Sequence, residues 1–239
     1  MPDQHSTDQH ATDQHSTGQR STGRPATLRA QRRAETQRTI QAHAVRLFSE
    51  RGYDATTVTD VAEAAGVSPM TVYRHFPTKE DLVLADQNGR LVAERIVASS
   101  AAQPLVRRIG GALVDSAAAL TGGGHGDGPG DGPGDGTEAG KQFLLARLRL
   151  MISTPALRAK HLDNQYVLQQ AIVDALGADA ADPDAAFRVR AAASACLAAL
   201  HTALVRWAED DGRTDLPDLI ARALAAAFGD DAVGRAPNA

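Results

Sequence analysis

Two short helical segments separated by one glycine constrain the fold of this chain more than any other feature of its sequence. Thr57 is a helix-capping residue with an acid, Asp60, three positions later, and Gly66 is suited to ending the helix that they begin. Ser68 caps a second helix that opens with Pro69, which is favoured at the first helical position. A helix, a short turn containing glycine and a second short helix are typical of the helix-turn-helix motif.

The second helix divides its residues between two kinds of surface. Val72 and Phe76 are four residues apart, so they lie on one face and can pack into the two preceding helices. The remaining long or polar side chains are Met70, Thr71, Arg74 and His75. The helix is too short to use so many polar groups structurally, whereas the DNA major groove accepts such a helix and offers matching donors and acceptors. The pattern therefore predicts DNA recognition.

The whole sequence predicts an all-α protein. Its 239 residues are 43% hydrophobic but only 4% aromatic, and alanine and leucine recur with helical spacing. No stretch alternates β-branched and polar residues in the way that a strand does. The spacing predicts about nine helices, in an N-terminal helix-turn-helix domain of three helices (28–84) and a larger C-terminal bundle (85–230).

Three segments are predicted to lie outside these helices. Residues 1–27 hold a degraded pentapeptide repeat without apolar residues to bury, so we expect a disordered tail. Residues 121–140 are rich in glycine and are expected to form a flexible loop, and residues 231–239 a second disordered tail. The first tail contains three histidines, His5, His10 and His15. A polar chain of this kind imposes no coordination geometry, so no metal site is predicted.

Charge is unevenly distributed along the chain. The net charge is -4, yet the segment from Arg20 to Ile40 holds 6 arginines against a single acid, Glu35. A basic segment joined to an acidic body indicates nucleic-acid binding. Arg29 and Arg33 are the predicted contacts from this segment to phosphates or to the minor groove.

The compartment is predicted from cysteine usage and hydropathy. A single cysteine, Cys196, excludes an internal disulfide framework and fits a reducing compartment. The N-terminus has no apolar segment like a signal peptide, and no apolar run reaches transmembrane length. We therefore expect a cytoplasmic protein without a membrane partner.

Residues 39–84 resemble the TetR family of bacterial transcriptional regulators. The matching positions are Gly52-Tyr53, Thr57-Val58, Ala62-x-x-Ala65-Gly66-Val67-Ser68, Tyr73-x-x-Phe76 and Lys79-x-x-Leu82. The resemblance implies an obligate dimer that binds an inverted-repeat operator, and a variable C-terminal helical domain that commonly holds a small-molecule inducer. The segments ARLRLMISTPALRAK and RAAASACLAALHTALVRWAEDDGRTDL resemble the C-terminal domain of the subgroup that includes the mycofactocin-system regulator, which implies the same architecture here.

The predicted DNA contacts lie in and around the helix-turn-helix. Tyr73 is either a core aromatic or a hydroxyl that reaches a phosphate, and the second role is favoured because Val72 and Phe76 already supply the buried face. Lys79 stands near a helix N-terminus, where the dipole repels a cation, so a nearby phosphate would compensate. The full predicted set is Thr57, Ser68, Pro69, Met70, Thr71, Tyr73, Arg74, His75 and Lys79, with Arg29 and Arg33. Thr57 is expected to combine its cap with a phosphate contact, and His75 is either solvated or in contact.

Two sets of C-terminal residues are predicted to bind a ligand and a second subunit. The ligand set is Phe143, Leu144, Arg147, Leu148, Met151, Tyr166, Leu168 and His201. The dimer set is Phe187, Leu197, Leu200, Leu204, Trp207, Leu219, Leu224 and Phe228. Arg147 is a possible polar anchor, with Asp174 as an alternative partner, while His161 and His201 could instead be surface residues. The alanine-rich run 191–199 suits close packing of helices at a dimer interface.

The sequence holds none of the common catalytic motifs, so neither an enzyme nor a cofactor is predicted. A repressor that an apolar or amphipathic small molecule releases from DNA fits the sequence best. The alternative is an activator or architectural DNA-binding protein without a ligand, whose C-terminal core would hold no cavity.

Overall fold

A computed structural model describes residues 24–85, 88–122, 138–177 and 182–230. Within these ranges the chain forms ten α-helices and no strand, which confirms the predicted all-α fold. The first four are α1 (Arg24–Arg51), α2 (Val58–Ala64), α3 (Pro69–His75) and α4 (Asp81–Leu84). The other six are α5 (Asn88–Ala98), α6 (Leu105–Thr121), α7 (Glu138–Ser153), α8 (Pro155–Ala175), α9 (Pro183–Glu209) and α10 (Leu216–Phe228).

The helices depart from the sequence-based expectation at two places. α1 begins at Arg24, before the predicted start at residue 28. The described residues hold ten helices where about nine were expected, and Ala85 adopts an extended conformation (φ -65°, ψ 119°) that ends α4 before α5 begins. Residues 1–23 of the predicted tail (1–27), residues 123–137 of the predicted loop (121–140) and the second predicted tail (231–239) lie outside the described residues.

The chain forms two units, residues 1–35 and residues 36–239. In the first unit, the described residues belong to α1, and residues 28–35 are exposed. In the second unit, α4 packs against α7 and α8. The domain boundary predicted between residues 84 and 85 therefore lies inside one compact unit.

The turn between α2 and α3 is closed by local hydrogen bonds. Gly66 has a φ of 68°, which glycine adopts without the steric cost of a side chain. Its N–H donates to the carbonyl of Glu63 (3.1 Å), and the N–H of Val67 donates to that of Ala62 (3.0 Å). This pair of bonds is a Schellman motif, so α2 ends where the sequence predicts and α3 begins at Pro69.

The helices α5 to α10 form a bundle within the second unit. α9 packs against α6, α8 and α10, and α5 packs against α6 and α8. α6 and α10 approach closely at Gly110, where a Cβ would lie 3.0 Å from Cδ1 of Leu224 and would force that side chain to shift. Trp207 is buried and donates its indole N–H to the carbonyl of Thr214 (2.9 Å). Burial of apolar side chains such as these is the main force that holds the bundle together.

α9 is long and apolar enough to cross a membrane by length and composition. Several of its residues, including Cys196 and Trp207, are buried against neighbouring helices. The core helix of a soluble protein has the same length and composition, so the packing of α9 accounts for its apolar character.

Candidate functional site

α3 has a buried side and an exposed side. Val72 and Phe76 are 0% and 2% exposed, whereas Met70 and Tyr73 are 75% and 49% exposed. Arg74 is also exposed. The division that the sequence predicts is therefore present: two apolar residues anchor the helix, and its other side chains face away from the core.

Both helices of the motif begin with the predicted side-chain caps. The hydroxyl of Thr57 accepts from the N–H of Asp60 (3.1 Å), and the Asp60 carboxylate accepts from the N–H of Thr57 (2.7 Å). Hydrogen bonds from the hydroxyl and the backbone of Thr57 lower the pKa of Asp60. The hydroxyl of Ser68 accepts from the N–H of Thr71 (3.1 Å) and lies 3.0 Å from the Thr71 hydroxyl. These bonds fix the start of α3.

Lys79, which the sequence assigns to a phosphate, is engaged by the protein itself. Its ammonium donates to the backbone carbonyl of Tyr53 (2.6 Å). It also lies 4.2 Å from the centre of the Tyr53 ring and 5.5 Å from that of Phe48. These contacts balance the unfavourable helix dipole that the sequence suggested a phosphate would offset. An ammonium carries three N–H donors, and the bond to Tyr53 uses one of them.

Tyr53 also binds the segment before α4 through its hydroxyl. This hydroxyl donates to the carboxylate of Glu80 (2.8 Å), and burial together with that carboxylate raises the pKa of Tyr53. The Tyr53 ring packs against Phe48, with the ring centres 5.1 Å apart. Tyr53 thus joins α1 to the start of α4, a role that the sequence analysis did not identify.

The remaining predicted DNA contacts are accessible or partly so. Pro69 is exposed and His75 is half-buried, with its ring centre 6.4 Å from that of Phe76. Arg29 and Arg33 are exposed in the first unit. Contacts of these residues with DNA remain predictions.

A cavity of about 700 Å³ lies within the second unit, among α4 to α10. Five residues of the predicted ligand set line it, namely Leu144, Arg147, Leu148, Met151 and Leu168. Most of the wall is apolar, with a small number of polar side chains. A cavity of this size and character is typical of a site for a small organic molecule.

The other three residues of the predicted ligand set lie elsewhere. Tyr166 is 70% exposed on α8. Phe143 is not part of the wall, and its ring centre lies 5.7 Å from the guanidinium carbon of Arg147. His201 is not part of the wall, but its Nδ1 lies 3.2 Å from Nε2 of His161, which does line the cavity. Of the two histidines that the sequence could not place, His161 is therefore the one that faces the cavity.

The sequence analysis also missed a large part of the cavity wall. The missed apolar residues include Leu113, Ala117 and Leu120 of α6 and Leu216 and Ile220 of α10. The missed polar residues include Asp81, Ser116 and Asn164. The helical spacing of the apolar residues indicates a buried helix face. Nothing in the local sequence distinguishes a face that borders a cavity from a face in a packed core.

Arg147 joins the cavity wall to α4. Its Nε donates to the backbone carbonyl of Val83 (2.6 Å) across 64 positions of sequence. Asp174, the alternative partner considered for Arg147, accepts a hydrogen bond from Gln170 (2.8 Å). The neighbouring cation Arg149 instead pairs with the carboxylate of Asp211 at the surface.

The predicted dimer set is largely inside the protomer. Four of its members are buried within the protomer and offer little surface to a second subunit: Leu197, Trp207, Leu219 and Leu224. Leu200 and Leu204 line the cavity, and Phe228 packs partly buried against the core. Phe187, at 71% exposed, is the one member of the set that is fully accessible. The sequence pattern does not distinguish these cases, because an apolar helix face can be buried by the same subunit as well as by a second one.

Two models of protein families match the chain. The model described as bacterial regulatory proteins, tetR family, matches residues 40–85, which include α2, α3 and α4. The model described as the MftR C-terminal domain matches residues 134–228, which include α7 to α10. Together the two models span more than half of the chain.

Relatives of known name are similar over the N-terminal helices. The HTH-type transcriptional regulator TcmR of Streptomyces glaucescens is 40% identical over 57 residues, which are 24% of this chain and 25% of that protein. The HTH-type transcriptional repressor KstR2 of Mycobacterium tuberculosis is 40% identical over 68 residues, 27% of this chain and 34% of that protein. The chain thus matches a quarter to a third of the length of these relatives.

Among solved structures, the chain is similar to native NalD, the secondary repressor of the MexAB-OprM multidrug efflux pump in Pseudomonas aeruginosa. The similarity covers 83% of this chain and 96% of that one, at 22% sequence identity and a TM-score of 0.52. At this identity, the likeness is evidence for the fold alone.

Proposed function

This chain belongs to the TetR family of bacterial transcriptional regulators, and from that membership we propose that it represses transcription by binding an inverted-repeat operator as a homodimer. We propose further that a small molecule in the C-terminal cavity releases it from DNA. The name of the Mycobacterium tuberculosis relative, a transcriptional repressor, supports the sign of the regulation.

The proposal that the protein binds DNA rests on the exposed side of α3. Met70 and Tyr73 project from a helix that Val72 and Phe76 anchor at 0% and 2% exposure. Residues at the N-terminal end of a recognition helix contact base edges in the major groove, and those beside the groove contact phosphates. Met70 and Thr71 are therefore assigned to the bases, and Tyr73 to the backbone.

Selection from a randomised duplex library by the full chain tests this assignment. The expected result is enrichment of one inverted repeat, because a two-fold symmetric dimer presents two copies of α3. Enrichment of no sequence, or of direct repeats alone, contradicts the proposal.

The cavity supports a ligand-responsive regulator over one without a ligand. Its volume of about 700 Å³ and its mainly apolar wall suit an apolar or amphipathic molecule. Asp81, Leu84 and Ala85 of the α4 segment are part of that wall, so an occupant touches the element that follows the helix-turn-helix. A ligand that binds one arrangement of α4 better than another shifts the population between them.

Filling the cavity tests this part of the proposal. Leu168→Trp places a larger side chain in the wall, and the variant is expected to bind the operator normally and to lose its response to effector. Leu162→Trp is the matched control, since Leu162 lies on the same helix and is 63% exposed. Equal effector responses of the two variants in an operator-binding assay contradict the assignment of the cavity.

The dimer is proposed to form through the outer surfaces of α9 and α10. The exposed residues of α9 that share one face are Ala191, Ser194, Ala195, Ala198 and Thr202. Small side chains allow two helices to approach closely, and Phe187 at the start of the same helix adds apolar surface. The sequence also predicts an interface on α9 and α10, but the face of α9 proposed here is opposite to the predicted one.

A charge placed on this face should separate the subunits. Ala195→Arg is expected to sediment as a monomer at micromolar concentration, while Ala98→Arg, at an exposed alanine of α5, stays dimeric. A dimeric Ala195→Arg variant would show that the interface lies elsewhere.

A DNA-binding role also suits a protein of the cytoplasm, and a single buried cysteine agrees with such a reducing compartment.

A further inference from the structure

The end of α4 is held by side chains from three other helices. α4 has only four residues, so its last carbonyls have no partner within the helix. The carbonyl of Val83 accepts from Nε of Arg147 (2.6 Å), and that of Ala85 accepts from Nε2 of Gln41 (3.0 Å). The carbonyl between them, that of Leu84, accepts a longer bond from Nδ2 of Asn164 (3.5 Å). We call these three successive carbonyls the α4 cap.

The α4 cap borders the cavity on one side and α1 on the other. Arg147 and Asn164, two of its three donors, line the cavity, as do Leu84 and Ala85. Gln41, the third donor, belongs to α1 and is buried. α1 also holds Phe48, which packs on Tyr53 beside the helix-turn-helix. A molecule in the cavity can therefore reach two of the donors that hold α4 without touching the DNA-binding helices.

We propose that the effector is an amphiphile with a carboxylate, which binds the side chains of Arg147 and Asn164 and draws them away from the carbonyls of Val83 and Leu84. This inference rests on the proposed function, and it specifies both the chemical class of the effector and the contact through which it acts. The apolar body of the same molecule would occupy the wall formed by residues such as Leu148 and Leu168.

The exchange is favourable because of the chemistry of the acceptors. A carboxylate accepts stronger hydrogen bonds from a guanidinium than a neutral carbonyl does, and it can accept two from one fork. The bond of Arg147 to Val83 is partly buried, and in such a setting this difference is larger than in bulk water. An uncharged ligand with the same apolar body has no acceptor of comparable strength.

Loss of the cap is costly for α4 in its present position. A buried carbonyl that loses its donor is destabilised unless another donor or water replaces it. Val83 and Leu84 are 0% and 9% exposed, so few water molecules can replace the lost donors while the segment keeps this position. Binding of a carboxylate thus favours arrangements in which the end of α4 shifts toward solvent, and Gln41 transmits the shift to α1.

Among the described residues, the other charged groups of the cavity wall include two that are paired with neighbouring side chains. Asp81 lines the cavity, but its carboxylate pairs with the ammonium of Lys160 (3.2 Å). Arg90, at another part of the wall, pairs with Glu94 (2.7 Å). The α4 cap and a bound carboxylate therefore compete for the guanidinium of Arg147.

The experiment compares straight-chain fatty acids, from octanoic to octadecanoic acid, with primary alcohols of the same chain lengths. Binding to the full chain is measured by calorimetry and release of the selected operator by fluorescence anisotropy. At the best chain length, the acid is expected to bind roughly 10- to 100-fold more tightly than the alcohol, as a charge-assisted hydrogen bond predicts. In Arg147→Met this ratio is expected to fall to about one, and in Arg147→Lys to an intermediate value. Arg149→Met is the matched control, because Arg149 is half-exposed and pairs with Asp211, so the ratio should not change.

Hydrogen exchange gives a second measurement that does not depend on release of DNA. The N–H groups of Leu84 and Ala85 bond the carbonyls of Glu80 and Asp81 (both 2.9 Å). Their exchange should quicken with the acid and in Arg147→Met without ligand, but not with the alcohol or in Arg149→Met. Unchanged exchange in Arg147→Met would overturn the role of the α4 cap.

The outcomes separate this inference from the proposed function. Equal binding of acids and alcohols, or binding of neither series, overturns the carboxylate assignment and leaves operator binding intact. If the chain selects no operator, the proposed function fails, while calorimetry and exchange still decide whether Arg147 binds a carboxylate at the α4 cap.

Discussion

Replacing Lys79 by methionine separates two roles that this side chain can have. The ammonium donates to the carbonyl of Tyr53 at 2.6 Å and lies 4.2 Å from the centre of its ring. Methionine keeps most of the apolar stem but removes the donor and the charge. Loss of the structural contacts and loss of a phosphate contact then affect different measurements.

The structural loss is estimated from the contacts of the ammonium. A hydrogen bond from a charged donor contributes about 1.5–3 kcal/mol, and a cation–π contact at a partly exposed site about 0.5–1 kcal/mol. Lys79 is only partly buried, so solvent screening favours a combined loss of about 1–2 kcal/mol. For a unit of this size, such a loss lowers Tm by roughly 2–8 °C.

The loss of a phosphate contact is measured by the salt dependence of operator binding. Each phosphate contact adds about 0.9 to the slope of log K against log salt concentration. Because a homodimer presents Lys79 twice, the slope of Lys79→Met should fall by nearly two units. Tyr73→Phe is the control: its hydroxyl is on the exposed side of α3, so the variant should weaken operator binding while leaving Tm and the salt slope unchanged.

Two results would refute this reasoning independently. An unchanged Tm in Lys79→Met would show that the contacts with Tyr53 contribute nothing measurable to stability. A lower Tm with an unchanged salt slope would show that Lys79 serves the fold alone, and the phosphate prediction from the sequence would be wrong.

Three further predictions concern other parts of the chain. Met70→Ala or Thr71→Ala should change which operator bases are preferred, by about 1–3 kcal/mol for each lost base contact. Selections that return the wild-type operator from both variants would contradict this prediction. Deleting residues 1–19 should leave operator affinity nearly unchanged, whereas deletion through Arg33 should weaken it and flatten its salt dependence; equal affinities of the two truncations would disprove the role of the basic segment. Burial raises the pKa of the Cys196 thiol to about 12, so iodoacetamide should not label the native protein at neutral pH, and mass spectrometry should detect alkylation only after unfolding. Because this folded-state pKa lies above the unfolded one, the thiol destabilises the fold only as the pH rises above the unfolded value near 8.5.

The helix-turn-helix could be predicted because its determinants are local. The cap of Thr57 on Asp60, the positive φ of Gly66 and the cap of Ser68 on Thr71 each involve residues within three positions of one another. The spacing of Val72 and Phe76 likewise defines the buried side of α3 without reference to distant parts of the chain. The sequence by itself therefore determined the fold class, the DNA-binding motif and the family.

The tertiary structure alone decided what the apolar faces and the cations contact. Periodicity identifies a buried face on α9, but it does not say whether that face meets the same subunit, a cavity or a second copy. Packing placed Trp207 in the core and Leu204 in the cavity wall, although both were predicted at the dimer interface. The partner of Lys79 lies 26 positions away and that of Arg147 lies 64 positions away. Contacts at such separations follow from how the helices pack, and that packing is a property of the whole chain.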